Sequence, residues 1–198
     1  MFTRLFSSSR RFSDTKIFAL LLASVFALSF TASALWTEAF GSAVSEDIIL
    51  SHFSPDRSIS LSRFITRSFY DDAIEMLYLF VLGFTFFGKP GILTLCALRG
   101  AAFGLSFSSM TAMASLIAER ITFGEFLLYP LTVLTVNTAF IVFAAESWVF
   151  NTRFRSFSEN KLKILRTPFF RACLLDFICF TGIIVLIKSV YSCLIFFI

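Results

Sequence analysis

The stretch Phe69–Phe107 reads FYDDAIEMLYLFVLGFTFFGKPGILTLCALRGAAFGLSF, two apolar runs joined by Gly88-Lys89-Pro90-Gly91. Proline has no N–H for a helix interior and glycine tolerates unusual backbone conformations, so the joining tetrapeptide predicts a turn that contains Gly88 and Pro90. The runs on either side are apolar enough to be membrane helices. The stretch therefore predicts two helices that cross a membrane in opposite directions.

The composition of the whole chain extends this interpretation. Hydrophobic residues make up 57% of the 198 residues and charged residues only 15%, whereas about a quarter of a soluble domain is charged. At about 20 apolar residues per crossing, the length allows roughly four to six crossings and no separate globular domain. We predict an all-α, polytopic transmembrane helical bundle of about five spans, in contact with membrane lipids, as one domain over 1–198. The predicted spans are 17–35, 73–88, 91–118, 126–149 and 172–195.

The first span follows a basic N-terminal stretch and ends near Ala32-Ser33-Ala34, which resembles the cleavage site of a secretory signal peptide. Its apolar run is longer than the roughly 7–15 residues of a usual signal peptide. An uncleaved first helix is therefore the favoured interpretation, and a cleaved signal peptide is the alternative. Both place the N-terminus inside.

The distribution of Lys and Arg predicts the orientation, because cytoplasmic loops of membrane proteins carry the excess of these residues. Five spans with the N-terminus inside and the C-terminus outside place eleven of the 17 Lys and Arg residues in the cytoplasm. The formal net charge of +4 has the same explanation, so we predict no nucleic-acid partner. The eleven residues are Arg4, Arg10, Arg11, Lys16, Lys89, Arg153, Arg155, Lys161, Lys163, Arg166 and Arg171.

The connection between the first two spans contains an amphipathic pattern at 59–71. Apolar residues such as Ile65 and Phe69 recur at helical spacing, while Arg63 and Arg67 lie on another face. Such a pattern is typical of a helix at the membrane surface. This outer segment either ends there or continues into the second span.

Small residues recur every fourth position in the third span, at Gly100, Gly104, Ser108 and Ala112. A stripe of small residues lets the backbone of a neighbouring helix approach closely in lipid. The favoured interpretation is packing against another helix of this chain. The first span is the expected mate, through a stripe of its own at Ala19, Ala23, Ala27 and Thr31. The alternative is a binding face for another protein or for a second copy of the chain.

Polar residues inside predicted spans are costly in lipid and are candidates for a functional site. The candidates are Arg99, Asn137, Glu146 and Asp176, and we expect them to form one polar cluster in the inner half of the membrane. Lys188 is expected near the outer headgroups. A structural network is favoured over a transport path, because no series of carboxylates runs through the bilayer.

The residues offer little for catalysis. His52 is the only histidine and lies in a predicted outer loop, and Asp176 has no second aspartate in a span to form a protease pair. The four cysteines lack CxxC spacing and are expected to act as packing residues. We therefore predict no catalytic residue, metal site or cofactor. The cysteines are Cys96, Cys173, Cys179 and Cys193.

The block from Ser68 to Met110 resembles the stage II sporulation protein M family. The family pattern is an amphipathic segment with phenylalanines, an apolar helix that ends in a Gly-x-Pro turn, and a basic residue followed by two glycines. The fourth predicted span is also similar to the family, with Pro130 and Asn137 at or near its polar positions. The resemblance covers about residues 60–150. The positions that match are Gly83, Gly88, Pro90, Arg99, Gly100 and Gly104.

The resemblance implies a non-enzymatic scaffold in a bacterial cell membrane. Such a protein recruits or anchors peptidoglycan-degrading partners during engulfment in sporulation. The implied partners are cell-wall hydrolases, the sporulation P amidase and the sporulation D lytic transglycosylase. The alternative function, from the residues alone, is a small permease or a membrane subunit of a transporter.

Overall fold

A computed structural model describes residues 8–40, 61–112, 123–156 and 168–197. These residues form five α-helices, and a short turn at 84–87 joins the second helix to the third. This confirms the predicted all-α helical bundle. His52, residues 59–60 of the amphipathic segment and residues 113–118 of the third predicted span lie outside the described residues. The helices are α1 (Ser8–Phe40), α2 (Leu61–Gly83), α3 (Gly88–Ala112), α4 (Phe123–Ser156) and α5 (Pro168–Phe197).

Four of these helices are long and apolar enough to cross a membrane, and they indicate a membrane protein. Each extends beyond the span predicted for it at one end or both, because a helix continues into the polar residues that flank its apolar run. α5 begins at Pro168, since proline is well tolerated in the first turn of a helix. The apolar segments are Asp14–Ala39, Gly88–Thr111, Leu128–Phe154 and Phe170–Ile195.

The boundary between α2 and α3 differs from the prediction. The amphipathic segment and the second predicted span form one continuous helix that ends at Gly83, and α3 begins at Gly88. The chain turns at 84–87, where the Gly88 N–H donates to the Thr85 carbonyl at 3.2 Å. Gly88 and Pro90 thus open α3 and do not interrupt a helix, because the first turn has no need of the missing proline N–H.

α1 and α3 lie side by side and run in the same direction. A side chain at Gly100 of α3 would meet the Phe26 carbonyl of α1. The Ser108 hydroxyl of α3 lies 3.4 Å from the carbonyl oxygen of Ala34 of α1. This second contact is eight residues further along both helices. Contacts therefore advance along both helices together.

α2 and α5 run in opposite directions. The rings of Phe84 and Phe170 lie 5.5 Å apart at one end of the pair, whereas Asp72 pairs with Lys188 further along. From the first contact to the second, the residue numbers decrease on α2 and increase on α5, so the two helices are antiparallel.

α4 runs opposite to α3, because Asn137 meets Arg99 and Trp148 lies beside Lys89. It contacts each of the other four helices. The helices thus alternate in direction along the chain, and α1 begins at the opposite end of the bundle from the end of α5.

The core surrounds α4. Phe140 and Phe143 of α4 are fully buried against Met76 and Leu79 of α2 and Ile92 of α3. Large apolar side chains also cover the outside of the bundle. This is the surface expected of a helical bundle in lipid, where the exterior is as apolar as the interior. Examples are Leu20, Leu28, Leu134, Leu175 and Leu186.

Candidate functional site

Arg99 forms the centre of a network of polar side chains between the helices. Its Nε donates to Asn137 Oδ1 at 2.6 Å, one terminal nitrogen donates to Asp72 Oδ1 at 2.5 Å, and the other pairs with Glu75 Oε2. The second carboxylate oxygen of Asp72 lies 3.1 Å from the Lys188 ammonium. We call these five residues the Arg99 network, and it joins α2, α3, α4 and α5.

The Arg99 network is electrically balanced and largely buried. Two basic and two acidic side chains face one another, and the side chains of Arg99 and Asp72 are each only 11% exposed. The Arg99 guanidinium also lies over the Phe140 ring at 4.5 Å. Charge pairing, an amide acceptor and an aromatic face together replace the water that these groups would lose in a membrane.

The Arg99 network lies about halfway along the membrane-spanning part of the bundle. Arg99 is about 16 Å along α3 from Gly88, at 1.5 Å per residue, and the hydrocarbon core of a bilayer is about 30 Å thick. Arg99 therefore occupies a niche lined by protein near the middle of the apolar segment Gly88–Thr111.

The polar cluster in the structure has different acidic members from the predicted cluster. Arg99 meets Asn137 as expected, but the carboxylates bonded to it are Asp72 and Glu75 instead of Glu146 and Asp176. Glu146 is about 13 Å further along α4 than Asn137.

Glu146 and Asp176 occupy other levels of the bundle. Glu146 accepts a hydrogen bond from the Thr15 hydroxyl at 3.0 Å and so links α4 to α1. Asp176 is half-buried on α5 beside Phe177, whose ring packs against Phe80 towards the turn. Lys188 belongs to the Arg99 network through its ion pair with Asp72, so it lies between the helices and not at the predicted outer headgroups.

The small-residue stripe of α3 packs against α1. Side chains at Gly100 and Gly104 would collide with the backbone at Phe26 and Phe30, and Ser108 donates to the carbonyl of Ala34. The favoured interpretation, packing within the chain, therefore describes this face. Ala112 is the last residue of α3.

Only the first part of the predicted stripe on α1 is packed, because Ala19 lies against the core and Ala23 is half-buried. Ala27 and Thr31 are exposed, and the phenylalanines of α1 interlock with those of α3, with the Phe30 and Phe103 rings 5.3 Å apart. Close backbone approach at the α3 glycines needs small residues on only one of the two helices.

Asn151 holds the turn between α2 and α3. Its side-chain nitrogen lies 3.3 Å, 3.2 Å and 2.8 Å from the carbonyl oxygens of Leu82, Gly83 and Thr85. A side chain at Gly88 would collide with the Asn151 amide. Asn151 is fully buried, so it stabilises carbonyls at the end of α2 and in the turn. The carbonyls of Leu82 and Thr85 also accept from the Thr85 and Gly88 amides. Sequence analysis missed it, because it lies beyond the fourth predicted span.

The described residues contain no group of three or more His, Cys, Asp or Glu side chains placed to hold a metal ion. Comparison with protein-family models, curated proteins and solved structures finds no match for this chain. The geometry of the Arg99 network suits two tasks, the locking of four helices to one another and the provision of charged groups inside the membrane.

Proposed function

We propose that this chain is a non-enzymatic scaffold of a bacterial cell membrane that recruits or anchors peptidoglycan-degrading partners during engulfment in sporulation. The partners that we propose are cell-wall hydrolases of the sporulation D and P type. They are held through their membrane spans, and the chain itself carries out no bond-breaking step.

One observation carries the proposal: the residues responsible for the family resemblance hold helices together. Arg99 joins α3 to α2 and α4, while Gly100 and Gly104 bring α3 onto the backbone of α1. Gly88 opens α3 against the Asn151 amide, and Gly83 lies against the Phe150 ring. A motif whose members hold helices together is what a scaffold requires, and this supports the proposal.

The glycine face of α3 is covered by α1, so a partner span needs another surface. The outer faces of α1 and α5 carry large exposed apolar side chains, among them Leu28, Leu35, Leu175 and Leu186. Surfaces of this kind contact either lipid or a neighbouring helix in a membrane. We place partner spans, including any second copy of this chain, on these outer faces.

The test is co-purification with the two proposed partners. A tagged chain is co-expressed with a sporulation D-type transglycosylase or a sporulation P-type amidase, extracted in a mild detergent and captured by its tag. We expect each hydrolase to be retained. The matched control is the same hydrolase with its membrane span replaced by an unrelated apolar span, and we expect that control to be lost.

Absence of both hydrolases from the captured fraction would contradict the proposed partners. Retention of the control hydrolase would contradict binding through the span. The chain must elute as a single folded species in every sample, because an unfolded scaffold also fails to retain partners.

A small permease is the second candidate, and the charged Arg99 network between four helices favours it. Glu75 has a side chain that is 32% exposed, and that of Lys188 is 21% exposed, so this network reaches the bundle surface. Proton flux into liposomes that contain the purified chain and an enclosed pH-sensitive dye tests this function. A permease predicts flux above that of empty liposomes and its loss in Asp72→Asn, whereas a scaffold predicts no flux above the empty liposomes.

A further inference from the structure

α2 is the one described helix without the composition of a membrane span. It carries Arg63, Arg67, Asp71, Asp72 and Glu75, and its uncharged part after Glu75 is only the eight residues 76–83. A helical crossing needs about 20 predominantly apolar residues. By its own sequence, α2 is too short and too charged to enter a bilayer alone.

α2 is nevertheless packed deeply into the bundle. Met76 and Leu79 are fully buried, and α2 contacts α3, α4 and α5. Each of its two buried-side carboxylates has a basic partner on a later helix, Asp72 with Arg99 and Lys188, and Glu75 with Arg99. The rest of the bundle thus neutralises two of the charges that bar α2 from lipid, those of Asp72 and Glu75.

We infer that α2 is a dependent crossing, which enters the membrane because Arg99 and Lys188 pair with its carboxylates. Both basic residues follow α2 in the chain, so α2 completes its insertion after α3 and α5 are available. The amphipathic first half of α2, with Arg63 exposed and Phe69 half-buried, suits a helix that waits at the membrane surface until then. Arg99 acts as a positioning residue for α2.

Labelling of a single cysteine measures the insertion of α2. The four native cysteines are replaced by alanine, and Leu77→Cys is introduced on the face of α2 that is 49% exposed in the bundle. The full chain is synthesised in the presence of liposomes and treated with a water-soluble maleimide before and after the vesicles are opened. A thiol within lipid reacts slowly in both conditions, whereas a thiol at the surface reacts.

Arg99→Met leaves Glu75 without its basic partner, and we expect labelling of Leu77→Cys to rise about tenfold. An unpaired charge at the bilayer centre lowers the equilibrium constant for insertion by a factor of roughly a hundred. The expected change in labelling is smaller, because Lys188 still pairs with Asp72. The double variant Glu75→Gln with Arg99→Met removes one acid and one base together. We expect its labelling to return towards the original rate, since the Asp72–Lys188 pair remains balanced.

The matched control is Arg171→Met, which removes an exposed cation of α5 outside the Arg99 network and should leave labelling unchanged. Unchanged labelling in Arg99→Met would overturn the inference. Equally high labelling in Arg99→Met and in the double variant would overturn it too, because general loss of structure would then explain both. The measurement is independent of hydrolase binding, so its failure and that of the proposed function are distinguishable.

Discussion

A terminal guanidinium nitrogen of Arg99 lies 2.5 Å from Asp72 Oδ1, although the two residues are 27 positions and a turn apart in the chain. The pair is one of three contacts that the planar guanidinium makes at once, each through a different nitrogen. The contacts reach Asp72 and Glu75 of α2 and Asn137 of α4. Arginine suits this position because its donors are fixed in a fork.

Arg99→Lys should therefore destabilise the bundle although the charge is kept. A lysine ammonium is a compact point charge and cannot replace three donors directed at three side chains. We expect a loss of about 2 kcal/mol, the typical effect of leaving a buried polar group unsatisfied, and a midpoint lowered by several degrees in thermal unfolding of the detergent-solubilised protein. Arg63→Lys, at an exposed position of α2, is the control and should leave the midpoint unchanged. Equal midpoints for the two variants would show that the fork geometry of Arg99 is unimportant.

Gly104→Leu should separate α1 from α3. A side chain at Gly104 would occupy the place of the Phe30 carbonyl and the Ser33 hydroxyl, and overpacking of this kind costs about 1–3 kcal/mol. We expect a lower unfolding midpoint and a weaker chemical cross-link between cysteines placed at Ala34 and Ser108.

Gly182→Leu is the matched control for Gly104→Leu. It makes the same change in α5, where nothing lies within 4 Å of the added atom. We expect it to keep both the midpoint and the cross-link. If both leucine variants preserved the cross-link, the close approach at Gly104 would not hold α1 in place.

Asn151→Leu should loosen the turn between α2 and α3. The substitution removes the nitrogen that lies within hydrogen-bonding distance of three carbonyl oxygens and leaves these carbonyls buried without it, at a cost of about 1–3 kcal/mol. Hydrogen exchange should accelerate at the Gly88 amide, which donates within this turn. Thr152→Val removes an exposed hydroxyl that bonds only within its own helix and should leave exchange at Gly88 unchanged. Slow exchange at Gly88 in Asn151→Leu would contradict this role.

The sequence predicts the helices of this protein better than it predicts their polar contacts. Long apolar runs identify α1, α3, α4 and α5, because the bilayer requires about 20 such residues in a row. The spacing of Gly100, Gly104 and Ser108 also predicts the face of α3 that packs against α1. Both inferences depend on periodicity within a single segment, which is visible without knowledge of the fold.

The partners of Arg99 depend on how separate helices are placed, and no local pattern reveals this. Asp72 stands at the edge of an amphipathic segment, where exposure to water is the simpler prediction, and Glu75 stands only one turn further on. Their burial becomes evident only once Arg99 and Lys188 are beside them. Asn151 was missed for a similar reason, since an asparagine just beyond an apolar run usually faces water.

The orientation of the bundle in the membrane remains a prediction, and the structure shows which helix ends lie together. Phe18 stacks on Trp148 at 5.5 Å, and the Lys89 ammonium lies 5.8 Å from the same ring. The start of α3 and the first part of α1 therefore lie at one end of the bundle with the last part of α4. Three of the basic residues expected in the cytoplasm, Lys16, Lys89 and Arg153, belong to these segments. These three charges therefore lie at one end of the bundle, as the positive-inside rule requires.

Because the helices alternate in direction, the end of α5 lies at the opposite end of the bundle from Lys89. A reporter fused after Ile198 should then be outside the cytoplasm. We expect alkaline phosphatase fused at this position to be active and a fluorescent protein that folds only in the cytoplasm to be dark, and fusions within the 84–87 turn should give the reverse pattern. The two fusion sites serve as controls for each other, since expression level affects both reporters alike. A cytoplasmic signal at both sites would mean that an even number of crossings separates the turn from Ile198, which the alternation of α3, α4 and α5 does not allow.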